Sequence, residues 1–410
     1  MMAGGKPQRG DRQREAQAGS DRTLGRRLAR FFARALLAAA ALALAGTEVS
    51  SSPAGGGAEK RPAMDKTKPL DRSNLWERTG RNLLSGFRNM YQPCVVEESD
   101  SLYRYKMWFF GWSATDTNAH LSIPGCDMIF HARSKDLERW EVWCGDGQWD
   151  ATGLEIAKWR PILAPEGKFY DAWHDGDPSV VRKDRRYYMA YSATSKPFSK
   201  SVAGYPSDMV QCVMGAVSED GIHWERSPQP LLIAAGDAIA ARPDPNRIGD
   251  FHRPCLRWEQ DRWRLWFDYW IPGKGVCMGH AVNTGDFSAK GGFVVSHPPA
   301  EPLLTGWPNP DVVKVGRWYY CFSDPGIYPG ATGWAARQIA EARSADGLRW
   351  EVLGYVAPDS DTPACHVPQA CVLIVEGREW LYVFYSCQVG GDPYDWRYNR
   401  IRCMRRPLEE

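Results

Sequence analysis

A chain of 410 residues has room for one large domain or two ordinary ones. With 43% hydrophobic and 24% charged residues it has the balance of a globular protein, which excludes wholesale disorder. The net charge of +2 comes from the first 34 residues; everything after them carries −4, so neither a polyanion-binding surface nor a nucleic-acid partner is expected. The aromatic content, 19 Trp, 17 Tyr and 14 Phe, fits a β-rich fold or a site that stacks sugars.

Residues 1–45 read as a signal peptide. Arg26, Arg27, Arg30 and Arg34 precede an apolar run, Ala35 to Ala45, that ends on small residues before Gly46. Eleven helical residues span about 17 Å, well short of the ~30 Å hydrocarbon core, so no stable membrane span is expected. The expected location is secreted or periplasmic, with a mature chain beginning near Gly46. Residues 46–84, rich in Ser, Gly, Ala, Pro and Lys at their start, read as a flexible linker and lead-in. All 11 Cys follow the leader, and an odd number cannot pair completely. Cys94, Cys255, Cys321 and Cys371 sit in apolar strands and read as small buried hydrophobes, whereas Cys126 and Cys144 are a conceivable disulfide.

From residue 85 to 410 one pattern recurs five times. A charged turn residue, an aromatic and alternating apolar positions appear at Arg104-Tyr105, Arg186-Tyr187, Arg262-Trp263, Arg317-Trp318 and Glu379-Trp380. Upstream of each, a proline opens a short apolar strand, at Pro93, Pro178, Pro254, Pro310 and Pro368. A third strand follows in each unit. In three units it leads into a turn and a tryptophan, Ser134…Trp140, Ser218…Trp224 and Ser344…Trp350, where Ser and Asp bond their own backbone. Five such units of about four antiparallel strands predict an all-β, five-bladed β-propeller.

The run Asp177-Pro178-Ser179-Val180-Val181…Tyr187-Tyr188-Met189, with the Ser-x-Asp-Gly-x-x-Trp turns, resembles the five-bladed glycoside hydrolases of families 32, 43, 62, 68, 117 and 130. The likeness spans residues 85–407. It implies a secreted carbohydrate-active protein, with an Asp opening the first blade, an Asp the second and a Glu the third. Here the residues before the five prolines are Gln92, Asp177, Arg253, Asn309 and Val367, so one carboxylate remains and no Glu stands at the third position.

If inner strands run away from the site and second strands return to it, the blade starts and second-strand ends rim one opening. Asp136, Asp220, Asp346, Arg185 and Arg186 then fall on the opposite face and are structural. The catalytic candidates are Asp177, Asp175, Asp324 and Asp311. Crowding in a narrow channel would raise one carboxylate pKa, and hydrolysis of a glycosidic bond needs two carboxyl groups. The substrate-binding candidates are His174, His252, Arg253, Asn309, Asp268, His366 and Gln92, with Trp307 and Trp334 as platforms, because pyranose C–H faces stack on aromatic rings. The loops 113–126, 193–209, 325–337 and 388–397 are long enough to bind. Glu341, on a third strand, reads as an ion-pair residue. Arg253 favours an anionic substrate group, a uronate, a sulfate or a phosphate, or an internal pair with Asp175 or Asp177. No spacing motif demands a cofactor or metal; similar propellers place a His near a central cation, as His366 is placed at the last blade's start, which leaves a structural calcium in the central channel as a candidate. A glycoside hydrolase, a non-catalytic carbohydrate-binding propeller and a phosphorylase holding phosphate at His252 and Arg253 all remain open.

Overall fold

The computed structural model describes residues 70–85, 88–112, 117–118, 123–124, 126–168, 170–195, 210–233, 249–362, 364–389 and 399–408. The leader, most of the linker, and the loops 113–126, 193–209 and 388–397 lie largely outside the described residues. Five antiparallel sheets succeed one another along the chain, each beginning at the axis and moving outward. Blade 1 comprises Arg88–Glu97, Tyr105–Trp112, Met128–Ser134, Trp140–Gly145 and Gln148–Asp150. Blade 2 comprises His174–Lys183, Arg186–Thr194, Gln211–Ser218 and Glu225–Arg226. Blade 3 runs through Gly249–Glu259, Arg262–Ile271, Gly275–Asn283 and Val294–Val295; blade 4 through Asp311–Val315, Trp318–Ser323, Ala340–Ser344 and Glu351–Tyr355. Blade 5 has Ala364–Val375, Arg378–Gln388 and Asn399–Pro407. Neighbouring inner strands are in contact around the ring, from the first blade back to the fifth. This is a five-bladed β-propeller, and the described residues contain no helix longer than one 3-10 turn.

The fifth blade takes its outer edge from the other end of the chain. Glu77–Arg78 and Leu84–Ser85 both pair antiparallel with Asn399–Pro407, so part of the segment expected to be linker is propeller. Closing the ring this way covers the outer edge of Asn399–Pro407. Further contacts tie the same segment down. Arg72 Nε donates to Glu341 at 2.7 Å and Arg406 Nη2 to the same carboxylate at 2.6 Å, which gives Glu341 the expected ion-pair role.

The strand-joining turns are built as their residues suggest. Asp136 Oδ1 accepts the N–H groups of Glu138 and Arg139, both at 2.9 Å, and Asp220 and Asp346 do the same one turn of chain away from their own Ser218 and Ser344. The turns also lock blade to blade. Fully buried Trp108 donates Nε1–H to the Gly221 carbonyl of the next blade at 2.9 Å, and Trp266 to that of Gly347 at 2.8 Å. Burying each such side chain is worth roughly 2–3 kcal/mol.

All 11 cysteines are free thiols, including Cys126 and Cys144, so the conceivable disulfide is not formed. The prolines do not open their strands, as expected from sequence, in four of the five blades. There they lie inside the inner strand, where pairing skips between Tyr91 and Cys94, Gly176 and Ser179, His252 and Cys255, and His366 and Gln369. A bulge leaves a residue unpaired, which suits a residue with no N–H to give.

Candidate functional site

The residue before each of these prolines is left-handed: Gln92, Asp177, Arg253, Asn309 and Val367 have φ of +49, +50, +50, +48 and +49°. Such backbone is disfavoured for non-glycine residues, more so before proline and most of all for β-branched Val367. It persists because the neighbouring blade holds it. Ser192 Oγ accepts the Arg253 N–H at 2.7 Å, Asp268 Oδ2 that of Asn309 at 2.9 Å, and Asp324 Oδ2 that of Val367 at 3.1 Å. These acceptors occupy one equivalent place, where each second strand reaches the funnel.

Two further layers lie deeper. One residue past each proline, Cys94, Ser179, Cys255, Asp311 and Gln369 form a closed ring of hydrogen bonds. Each side chain accepts the N–H of the next blade: Val180 at 3.2 Å, Leu256 at 2.9 Å, Val312 at 3.1 Å, Ala370 at 2.7 Å and Val95 at 3.1 Å. Three past the prolines, Val96, Val181, Arg257, Val313 and Cys371 line a cavity of about 520 Å³ that opens on the far face. With alternate residues facing the axis in these layers, the pre-proline side chains form the funnel floor.

On that floor Asp177 is the one carboxylate and Arg253 the one cation. Burial pushes the Asp177 carboxyl up, Arg253 and His252 pull it back, and the Ser192 hydroxyl donates to it. His252 Nδ1 lies 2.5 Å from Asp268 Oδ1, and Arg253 Nη1 donates to Asp268 Oδ2 at 3.1 Å. Burial pushes Asp268 up, but His252 and Arg253 outweigh it and its carboxyl sits below the ordinary range. Asn309 Nδ2 donates to Asp324 Oδ1 at 2.5 Å, and Arg337 pairs with the other oxygen. His366 is fully buried against the edge of the Tyr91 ring, and burial drives its pKa well down. Gln92 is buried in the same ring.

Four expected site residues are placed differently. Asp311 belongs to the hydrogen-bonded ring and pairs with Arg257 Nη2 at 3.3 Å, beneath the floor. Asp175 turns into the body of blade 2, where Arg226 donates to it at 2.9 Å and to Asp171 at 2.8 Å. The carboxyl of Asp175 is pushed up to about 7 by burial, against the pull of Arg226. The Arg253 pairing with Asp175 considered from sequence is therefore replaced by Arg226. Trp307 is packed between blades 3 and 4 with its Nε1–H on Cys321 Sγ at 3.3 Å, so it is core and not a platform. His174 Nδ1 accepts the Asp127 N–H at 2.9 Å at the rim, and burial lowers its pKa to about 3. The side chain of Trp334 lies outside the described residues. Asp324 reaches the floor but is held by three donors, the place of a clasp.

Sequence reasoning missed Ser192 and Arg337. Ser192 carried a signal, since it stands opposite Gly176 as Asp268 stands opposite His252; Arg337 ends one of the long loops. Calcium takes six to eight oxygen ligands; the Arg257 guanidinium lines the cavity below the floor, and among the described residues no group of three His, Cys, Asp or Glu is placed to hold a metal.

No protein-family model and no curated protein sequence matches the chain. Solved structures do. A family 117 glycoside hydrolase from the marine bacterium Zobellia galactanivorans superposes with a TM-score of 0.55 at 14% identity, over 83% of this chain and 92% of that one. A thermostable family-43 glycoside hydrolase gives 0.51 at 14%, over 80% and 91%. An N-acetylgalactosamine deacetylase from F. plautii, in complex with blood group B trisaccharide, gives 0.52 at 16%, over 80% and 95%. At such identities the likeness establishes the shared fold, and function has to be argued from the site.

Proposed function

We propose that the chain is an exported glycoside hydrolase that cleaves a glycosidic bond in the funnel above the pre-proline floor. The observation that carries this is the His252–Asp268 contact of 2.5 Å beside Asp177. Glycoside hydrolysis needs one group to protonate the leaving oxygen and another to take a proton from water. The floor has one carboxylate in place of the usual pair. A carboxylate beside Nδ1 orients an imidazole and leaves Nε2 for proton transfer, and Nδ1 of His252 lies 2.5 Å from Asp268 Oδ1. Asp177, held protonated to higher pH by burial, is the acid that gives its proton to the glycosidic oxygen as the C–O bond breaks. His252 Nε2 takes the proton of the attacking water as the new C–O bond forms. Asp268 is a positioning residue for His252 and for the Asn309 backbone. The leader over residues 1–45 directs the chain to the carbohydrate outside the cytoplasm.

Sugar release from a panel of polysaccharides, followed by chromatography with and without phosphate, tests the reading. The wild-type chain should release sugar without phosphate, and Asp177→Asn and His252→Gln should each lose a factor of about 10² or more. Asp268→Asn should shift the pH profile as well as lower the rate. A wild-type chain that binds glycans and releases none is a binding propeller, and release that requires phosphate marks a phosphorylase; either result overturns hydrolysis.

A further inference from the structure

Resting on that reading of the funnel, we infer that its substrate carries an acidic sugar, whose carboxylate is held by the Arg253 guanidinium. Arg253 sits on the axial floor among Gln92, Asp177, Asn309 and Val367. Its side chain is 20% exposed, whereas its carboxylate partner Asp268 is fully buried. That partner does not belong to Arg253 alone. Asp268 Oδ2 also accepts the Asn309 N–H at 2.9 Å, and its Oδ1 lies 2.5 Å from His252 Nδ1, so one carboxylate is shared among three groups. Arg253 meets it through Nη1, at 3.1 Å, which leaves the Nε–Nη2 edge of the guanidinium outside that bond. That edge of a guanidinium presents two parallel N–H groups, the geometry that matches a planar carboxylate.

The neighbours of Arg253 complete the argument. Gln92 Oε1 and Asn309 Oδ1 are buried acceptors without a partner among the described residues, each costly if left so. Sugar hydroxyls are donors that would satisfy them. One cation and two open amide oxygens form a ring suited to a polyol bearing one negative charge. The same charge has a consequence for Asp177: a substrate carboxylate nearby disfavours ionisation of the acid and helps keep its proton in place.

The test measures binding, so that its outcome is separate from cleavage. The full-length chain is titrated calorimetrically with an acidic oligosaccharide, such as an oligouronide, with its carboxyl-reduced neutral counterpart, and with inorganic phosphate. We expect the acidic form to bind at least about 10-fold tighter than the reduced one, as for a desolvated charged hydrogen-bond pair. Arg253→Gln should erase the ratio, and Arg253→Lys, which keeps the charge without the fork, should recover only part of it. Equal affinity for the acidic and reduced forms overturns the inference, as does a preference that survives Arg253→Gln. Phosphate binding that competes with the neutral oligosaccharide at Arg253 also overturns it, in favour of a phosphate subsite. If Arg253→Gln fails to fold, the wild-type comparison of the two oligosaccharides still decides. Acid-selective binding without sugar release would leave this inference standing and sink hydrolysis; hydrolysis of neutral glycans without acid preference would do the reverse.

Discussion

Truncating Asp311 separates a structural from a catalytic role for the carboxylates of this channel. In the ring one residue past the prolines, Asp311 Oδ2 accepts the Ala370 N–H at 2.7 Å and the Arg257 Nη2–H at 3.3 Å. Asp311→Ala leaves a buried amide without an acceptor, a loss of about 1–3 kcal/mol. It also removes the only carboxylate paired with Arg257 among the described residues, and an uncompensated buried charge costs about 3–5 kcal/mol. Arg257 keeps the carbonyls of Leu256, Val312 and Ala370, which hold the combined cost to about 3–5 kcal/mol. Asp311→Asn keeps an acceptor for Ala370. Because burial already pushes the Asp311 carboxyl up, the neutral amide should cost only about 1–2 kcal/mol. Urea unfolding of both variants, read as a shift of midpoint at constant slope, measures the two costs. Glycan binding by the folded fraction should be unchanged. An Ala variant within about 1 kcal/mol of wild type that has nonetheless lost function would refute the ring and return Asp311 to the catalytic set.

Two further outcomes follow from the geometry. Burial raises the folded pKa of Asp175 to about 7, above its unfolded value, so the folded state holds that proton more tightly. Its contribution is greatest below pH 4, is lost as the pH climbs from about 4 to 7, and does not return above. Asp175→Asn should flatten that part of the stability profile, and an unchanged slope between pH 5 and pH 7.5 would show that another group sets it. Gly221 has φ +80°, and a Cβ there would stand 2.8 Å from Cζ2 of Trp108. Gly221→Ala should therefore cost about 1–3 kcal/mol through the blade 1–blade 2 contact, whereas Gly316→Ala, with open space around it, should cost only about 1 kcal/mol for its φ of +56°. Equal melting shifts for the two would argue that backbone conformation alone is at work.

The repeat made the fold readable. Five aromatic-led strands and five prolines lay in the chain at blade spacing, and Ser, Asp and Gly named the turns, because local chemistry decides turns and alternation decides strands. The same logic correctly sent Asp136, Asp220 and Asp346 to the far face and gave Glu341 to an ion pair. It also found Asp177, Arg253, His252, Asp268 and Asn309, which the structure gathers at the floor or just behind it.

Side-chain direction past the prolines was not readable. A bulge of one residue reverses the face a side chain occupies, so Asp175 and Asp177, two apart, part company: one goes to Arg226 inside a blade, the other to the funnel. Asp311 looked like a funnel carboxylate until the ring closed and supplied Ala370 as its donor. Trp307 looked like a platform until blade 4 covered it. The outer strand of blade 5 could not be assigned to residues 77–85 from pattern alone, because two-residue strands carry no period. Sequence determined the units, their number and the chemistry near each start. Tertiary structure decided which of those groups face the axis, because a propeller's site is made by contacts between blades, and no blade contains within itself the neighbour that turns a side chain inward or ties it down.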